Sequence, residues 1–106
     1  MGREWLIEGI AGGGVIDNSH ATLQFLNDGP LAGSATCNRV IGRYRSEGRQ
    51  LSIGGLGTTM MACPEALMIQ ERELLDLLPA VKSYRTDDSG ALVLTTAGGK
   101  TIVARR

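Results

Sequence analysis

Apolar and polar residues alternate in short runs along most of the chain. In ATLQFLN, residues 21–27, Leu23 and Phe25 share one face while Thr22 and Gln24 take the other, and Leu51 and Ile53 repeat the pattern around Ser52. EWLIEGI (4–10), AGSATC (32–37), GRYRSEG (42–48), QLSIGG (50–55) and GTTMMA (57–62) are further β-favouring runs. They are separated by Gly, Asn, Asp and Pro at the spacing of an antiparallel sheet or barrel. NDGP at 27–30 and SEGR at 46–49 predict hairpin turns, because glycine accepts the positive φ that such turns require.

The period then changes. In CPEALMIQERELLDLLP, Pro64 suits a first helical turn, Glu65 lies near the positive end of the helix dipole and Pro79 acts as a stop, which predicts a helix over 64–78. At about 100° per residue, Leu67, Leu74, Leu75 and Leu78 fall in one arc with Met68 at its margin. Gln70, Arg72, Glu73 and Asp76 fall mostly outside it. VKSYRTD (81–87), ALVLTT (91–96) and KTIVARR (100–106) follow, with DDSG and AGGK as turns. One helix placed late in a strand series argues against a doubly wound fold. The expectation is an α+β, mainly β fold: an antiparallel sheet or partly open β-barrel of about eight short strands, in a single domain over residues 1–106.

Composition sharpens this mainly by exclusion. A chain of 106 residues supplies one core, and its 15 glycines fit a turn-rich architecture. Eleven basic and eleven acidic residues cancel, so no global field draws the protein onto nucleic acid or an anionic membrane. Four scattered aromatics, Trp5, Phe25, Tyr44 and Tyr84, leave little for a base-stacking platform. Nucleic acid is therefore not an expected partner. No apolar run reaches the length of a transmembrane helix, and MGREWLIEG lacks the pattern of a signal peptide, so the chain as written reads as soluble and cytoplasmic. Trp5 already begins the first strand, however, and the same pattern is compatible with an export segment removed upstream.

Candidate chemistry is sparse. A zinc site needs about four ligands in close pairs, whereas the chain has two separate cysteines and one histidine, His20 in DNSH, which reads as a turn residue. A cysteine nucleophile at Cys37 or Cys63 would need His20 brought alongside as a base. GIAGGG, 9–14, lacks the Lys and Ser/Thr of a phosphate loop and reads as a β-turn. Arg39, Arg43, Arg45 and Arg49 read as the solvated face of an edge hairpin rather than an anion patch. Glu71 is the anomaly, since it falls inside the apolar arc, where a carboxylate must be paired or hydrogen-bonded. It is expected to anchor on backbone N–H groups, a Thr hydroxyl, Tyr44 or an Arg. Asn38 is expected to satisfy irregular backbone between Cys37 and Gly42. Cys37 and Cys63 are 26 positions apart. In an oxidising compartment a bond between them would contribute roughly 3 kcal/mol; in the cytoplasm they would be buried small hydrophobes.

In order along the chain, EWLIEGI, TLQFLNDGPLAGSATCNRVIGRY, LSIGGLGTTMMACP and LMIQERELLDLL resemble the successive signatures of the META domain family of HslJ-like bacterial envelope lipoproteins. The elements are CN-x-x-x-G-x-Y, T-x-M-A-C-P and M-x-x-E-x-x-L-L. The resemblance implies a β-rich domain with one helix, exported to the periplasm or cell envelope and often lipid-anchored. It also implies links to heat shock, antibiotic tolerance, secretion or motility, without an established enzymatic activity. Cys37, Asn38, Gly42, Tyr44, Thr59, Met61, Cys63 and Glu71 match the family signature, as structural rather than catalytic residues. No lipobox cysteine precedes Trp5, so anchoring does not carry over.

The functional expectation is a non-enzymatic, stress-associated envelope domain that binds a lipid, an apolar peptide or a partner protein, or acts structurally. No metal or cofactor is expected, and a monomer is the default. The competing class is a thiol-dependent redox or enzymatic protein using Cys37 and Cys63.

Overall fold

The computed structural model describes residues 4–16 and 19–106, so the DNSH loop lies outside the described residues at Asp17 and Asn18. Strand β1 (Glu4–Ile10) turns through Ala11 and Gly12, both at positive φ, into the two-residue β2 (Gly13–Gly14), which pairs back on it. β3 (His20–Phe25), β4 (Pro30–Thr36), β5 (Arg39–Glu47) and β6 (Gln50–Thr58) then run as consecutive antiparallel neighbours. The helix α1 (Glu65–Leu77) and a single 3₁₀ turn (Leu78–Ala80) intervene before β7 (Val81–Thr86), β8 (Leu92–Thr96) and β9 (Thr101–Arg105).

β1 pairs with β3 through residues 4–6 and with β9 through Leu6 to Ile10, which closes eight strands into an antiparallel barrel with β2 as a short lip. The barrel is closed rather than partly open because β1 is long enough to bridge both neighbours. Its thinnest seam is β6–β7, where pairing is confined to Gln50 opposite Ser83, supported by Tyr84 N–H donating to Arg49 C=O. Since β5 and β6 have neighbours on both sides, the hairpin carrying Arg43 and Arg45 is not an edge, although both arginines are exposed.

Alternation fills the interior. Ala21, Leu23 and Phe25 of β3 meet Leu31 and Ala35 of β4, Val40 of β5, Leu51 and Ile53 of β6, Leu94 and Ile102. Each large side chain so buried contributes about 1.5–3 kcal/mol. Leu74, Leu77 and Leu78 extend this core from α1 and the 3₁₀ turn. Gly33 on β4 lies so close to β3 that a Cβ would collide with the Thr22 carbonyl. A second glycine device sits in β6: two residues, Gly55 at φ 62° and Leu56, oppose the single Gly42 of β5. This is a β-bulge with its first residue left-handed, which bends the strand and ends its pairing soon after.

The structure departs from the sequence expectations in several places. α1 begins after Pro64 rather than at it; it ends at Leu77, ahead of Pro79 as expected, and Pro79 sits inside the following 3₁₀ turn, where a missing N–H costs nothing. GTTMMA is not a separate strand: Gly57 and Thr58 finish β6, and Thr59 to Ala62 are irregular. Gln70, assigned outside the apolar arc, is buried.

Candidate functional site and family

The β4–β5 turn and the middle of α1 meet in a polar knot. Thr36 has φ 94°, an uncommon conformation for a β-branched residue, costing on the order of 1–3 kcal/mol. In this turn the N–H groups of Cys37 and Asn38 both donate to Glu71 Oε1, at 3.1 and 2.7 Å. Two successive amides aimed at one oxygen form an anion-holding nest. Asn38 Nδ2 donates to Glu71 Oε2 at 2.7 Å, so the carboxylate accepts three hydrogen bonds while only 4% exposed. A buried charge is tolerated when it is satisfied in this way.

Asn38 carries the knot onward. Its Oδ1 accepts from Met61 N–H at 2.6 Å and from the Thr59 hydroxyl at 3.1 Å, which gives the irregular 59–61 backbone its partner. Thr59 is doubly tied to Arg39, accepting from Arg39 N–H at its Oγ1 and donating its own N–H to Arg39 C=O. Two residues beyond Met61, Cys63 is bonded to Cys37, with Cα atoms 6.5 Å apart. A covalent link, a carboxylate and an amide side chain therefore fix the segment that leaves β6 and enters α1.

Gln70, adjacent to Glu71, extends the grip. Its Oε1 accepts from Ile16 N–H at 2.8 Å, and its Nε2 donates to Ser19 Oγ and Thr36 Oγ1. The bond to Thr36 gives the turn a further side-chain tie to α1. Sequence reading missed Gln70 because its partners lie 34 to 54 positions away. Its one local signal was a polar residue beside the anomalous Glu71.

Six signature residues thus converge: Cys37, Asn38, Thr59, Met61, Cys63 and Glu71. Gly42 and Tyr44 do not join them. Gly42 is mid-strand opposite the bulge rather than in a turn, and a Cβ there would crowd Leu56 Cδ2 and the Gly54 carbonyl. Of the partners considered for Glu71, backbone N–H groups hold it, whereas Tyr44 points into the barrel, edge-on to Phe25 with ring centroids 5.0 Å apart. Its hydroxyl donates to Leu26 C=O at 2.6 Å. It therefore pins the β3–β4 loop, while Glu71 is satisfied elsewhere.

His20 begins β3 directly opposite Thr36, the residue before Cys37. Cys37 is already bonded, and there is no free cysteine. Among the described residues no group of three His, Cys, Asp or Glu side chains is placed to hold a metal ion.

Beside the knot lies an open cleft of about 440 Å³ between α1 and the 58–62 segment. Met60, Met61, Ala62, Met68 and Leu75 form its apolar lining, with Arg72 and Asp76 at the rim and Asn38 and Glu71 beneath. Met60 is 92% exposed and Met61 53%.

The family model for the META domain matches residues 1–106. The chain belongs to the META domain family. Among solved structures, this META domain is similar to a protein from Burkholderia xenovorans studied by NMR: 24% identity, TM-score 0.79, covering 99% of this chain and 81% of that one. A second protein studied by NMR is 23% identical with TM-score 0.73, over 98% of this chain and 88% of the other. A DUF4847 family protein from Bacteroides vulgatus is 23% identical with TM-score 0.59, over 79% and 56%. At these identities the likeness is one of fold. No curated protein matches the sequence. Among the described residues, no helix of this META domain is long and apolar enough to cross a membrane.

Proposed function

We propose that this META domain is a non-catalytic binding module of the bacterial cell envelope. It holds an extended apolar peptide segment of a partner protein in the methionine-lined cleft. The observation that carries the reading is the exposure of Met60 and Met61 beside Met68 and Leu75, on backbone otherwise fixed by Asn38 and the disulfide. Thioether side chains are flexible and polarizable and adapt to varied apolar partners, while a pre-fixed backbone lowers the ordering cost of binding.

A peptide fits better than a lipid. Phe25, Leu23, Leu94 and Ile102 fill the barrel, so an acyl chain finds those positions occupied, whereas the cleft is open and carries both charge signs at its rim. The non-catalytic reading rests on the groups suited to chemistry being committed to structure, the cysteines to one bond and Glu71 to three hydrogen bonds. The envelope assignment rests on the disulfide, which needs an oxidising compartment.

The test is selection of short random displayed peptides on the disulfide-intact domain, followed by NMR titration with a selected peptide. Shifts should concentrate in residues 58–62 and 68–76 and vanish in Met60→Glu. Selection yielding nothing, or shifts centred elsewhere, would sink the proposal. The thiol-exchange alternative keeps one concrete observation, His20 opposite Thr36. It requires rapid exchange of the native disulfide with a dithiol, and exchange no faster than for an ordinary structural disulfide removes it.

A further inference from the structure

The chain has four methionines, and three of them, Met60, Met61 and Met68, line the same cleft. The three differ in access: Met60 and Met61 are exposed, and Met68 is half-buried on the helix. The competing oxidisable side chains are shielded, since both cysteines are already bonded and Trp5 is buried in the core. A two-electron oxidant reaching this surface therefore meets thioether sulfur first.

We propose that Met60 and Met61 are modification sites whose oxidation to the sulfoxide switches off docking in the cleft. The consequence rests on the peptide-binding reading above; the site selectivity does not. With hydrogen peroxide as the oxidant, the methionine sulfur attacks one peroxide oxygen and the O–O bond breaks. That oxygen stays on sulfur as the sulfoxide, and the other leaves as water after proton transfer. Sulfur is oxidised by two electrons and the peroxide is reduced by two.

The fold is arranged to survive the change. The hydrogen bond that fixes this segment at Met61 uses its backbone N–H to Asn38 Oδ1, the second uses the Thr59 hydroxyl, and the third tie is the existing disulfide. None of these involves a methionine sulfur. Oxidation therefore replaces an apolar, adaptable lining by dipolar S–O groups without cutting the supports beneath it. A peptide that had buried each thioether loses about tenfold in affinity per converted methionine, the worth of burying such a side chain.

The experiment treats the disulfide-intact protein with hydrogen peroxide and maps each sulfoxide over time by mass spectrometry. It then measures the affinity of a peptide selected on the untreated domain. Met60 and Met61 should convert well ahead of Met68 with the circular dichroism spectrum unchanged. Affinity should fall in step and return after treatment with methionine sulfoxide reductases acting on both epimers. In the double variant Met60→Leu with Met61→Leu, whatever affinity for the peptide remains should be the same before and after peroxide. Equal conversion of Met68 and Met60, full conversion with unaltered affinity, or a peroxide-sensitive leucine variant each overturns the proposal. If the untreated domain selects no peptide, the docking reading and its gating fall together, while the mapping alone still decides whether these two residues are the preferred sites.

Discussion

Replacing Glu71 by alanine removes the acceptor for three donors at once. Two of them, Asn38 N–H and Asn38 Nδ2, are buried, and the Cys37 N–H is partly buried. A buried donor left without a partner costs about 1–3 kcal/mol, while a partly exposed one recovers a water molecule. Two buried orphans, offset by no longer having to desolvate a carboxylate, give an expected loss of about 2–4 kcal/mol. Urea denaturation with the disulfide intact reads this directly. With a slope of about 1–1.5 kcal/mol per molar for a domain of this size, the midpoint should fall by roughly 2 M. Glu71→Gln is not a conservative control, because its amide N–H₂ would face the Asn38 amide N–H₂. Turning Asn38 over to relieve that contact would break its bonds to Met61 and Thr59. A double-mutant cycle between Glu71→Ala and Asn38→Ala should therefore be strongly non-additive. A midpoint shift worth less than about 0.5 kcal/mol, with the slope unchanged, would refute the account of the knot as a supporting element.

Three further outcomes are expected. Reduction of the Cys37–Cys63 bond, or its replacement by Cys37→Ala with Cys63→Ala, should lower stability by about 3–4 kcal/mol for a separation of 26 positions, read as the difference between urea curves with and without a dithiol; a loss below about 1 kcal/mol would contradict it. Tyr44→Phe keeps the edge-on contact with Phe25 but deletes the bond to Leu26 C=O, so thermal unfolding should show a loss of about 1 kcal/mol and not the larger loss of a core cavity. Asp87 is held below the usual carboxylate value first by the Ser89 hydroxyl and then by the Ala91 N–H. Because its folded value is depressed, its contribution is present above the unfolded value of about 4 and is lost as pH falls through the folded one. A carboxyl-carbon NMR titration with a midpoint at or above that of free aspartate would contradict this.

The strands were legible wherever one face is buried. Leu23 with Phe25, and Leu51 with Ile53, announce their faces because a period of two leaves no other arrangement once Thr22, Gln24 and Ser52 must meet water. The position of Glu71 on the apolar side of the helix was legible for the corresponding reason at period 3.6. Backbone N–H donors for Glu71 were among the expected partners, but which ones was not legible, because they are supplied by a turn 33 and 34 positions earlier. Gln70 was placed outside the arc by its helical angle, yet it is buried because Ile16, Ser19 and Thr36 gather round its amide on that flank. The run GTTMMA looked like a strand because threonine and methionine fit one locally. Backbone pairing nevertheless ends at Thr58, and Asn38 supplies the next partner from a side chain. Tyr44 faces the interior because β5 alternates, a constraint that outweighs the attraction of a distant carboxylate.

Closure of the barrel by β1 and β9 sets an order of events. Leu6 pairs with Arg105 and Ile10 with Ile102, so the bonds that abolish the last two free edges join the first strand to the last. A ribosome delivers β1 early and β9 only after every other strand, and until then β1 and β8 each present an unpaired edge. Late pairing across so long a loop is slow, which leaves a nascent chain a long interval without its completed barrel. That interval is useful to a protein that must thread an export pore before folding, and hazardous to one that meets another copy of itself edge to edge.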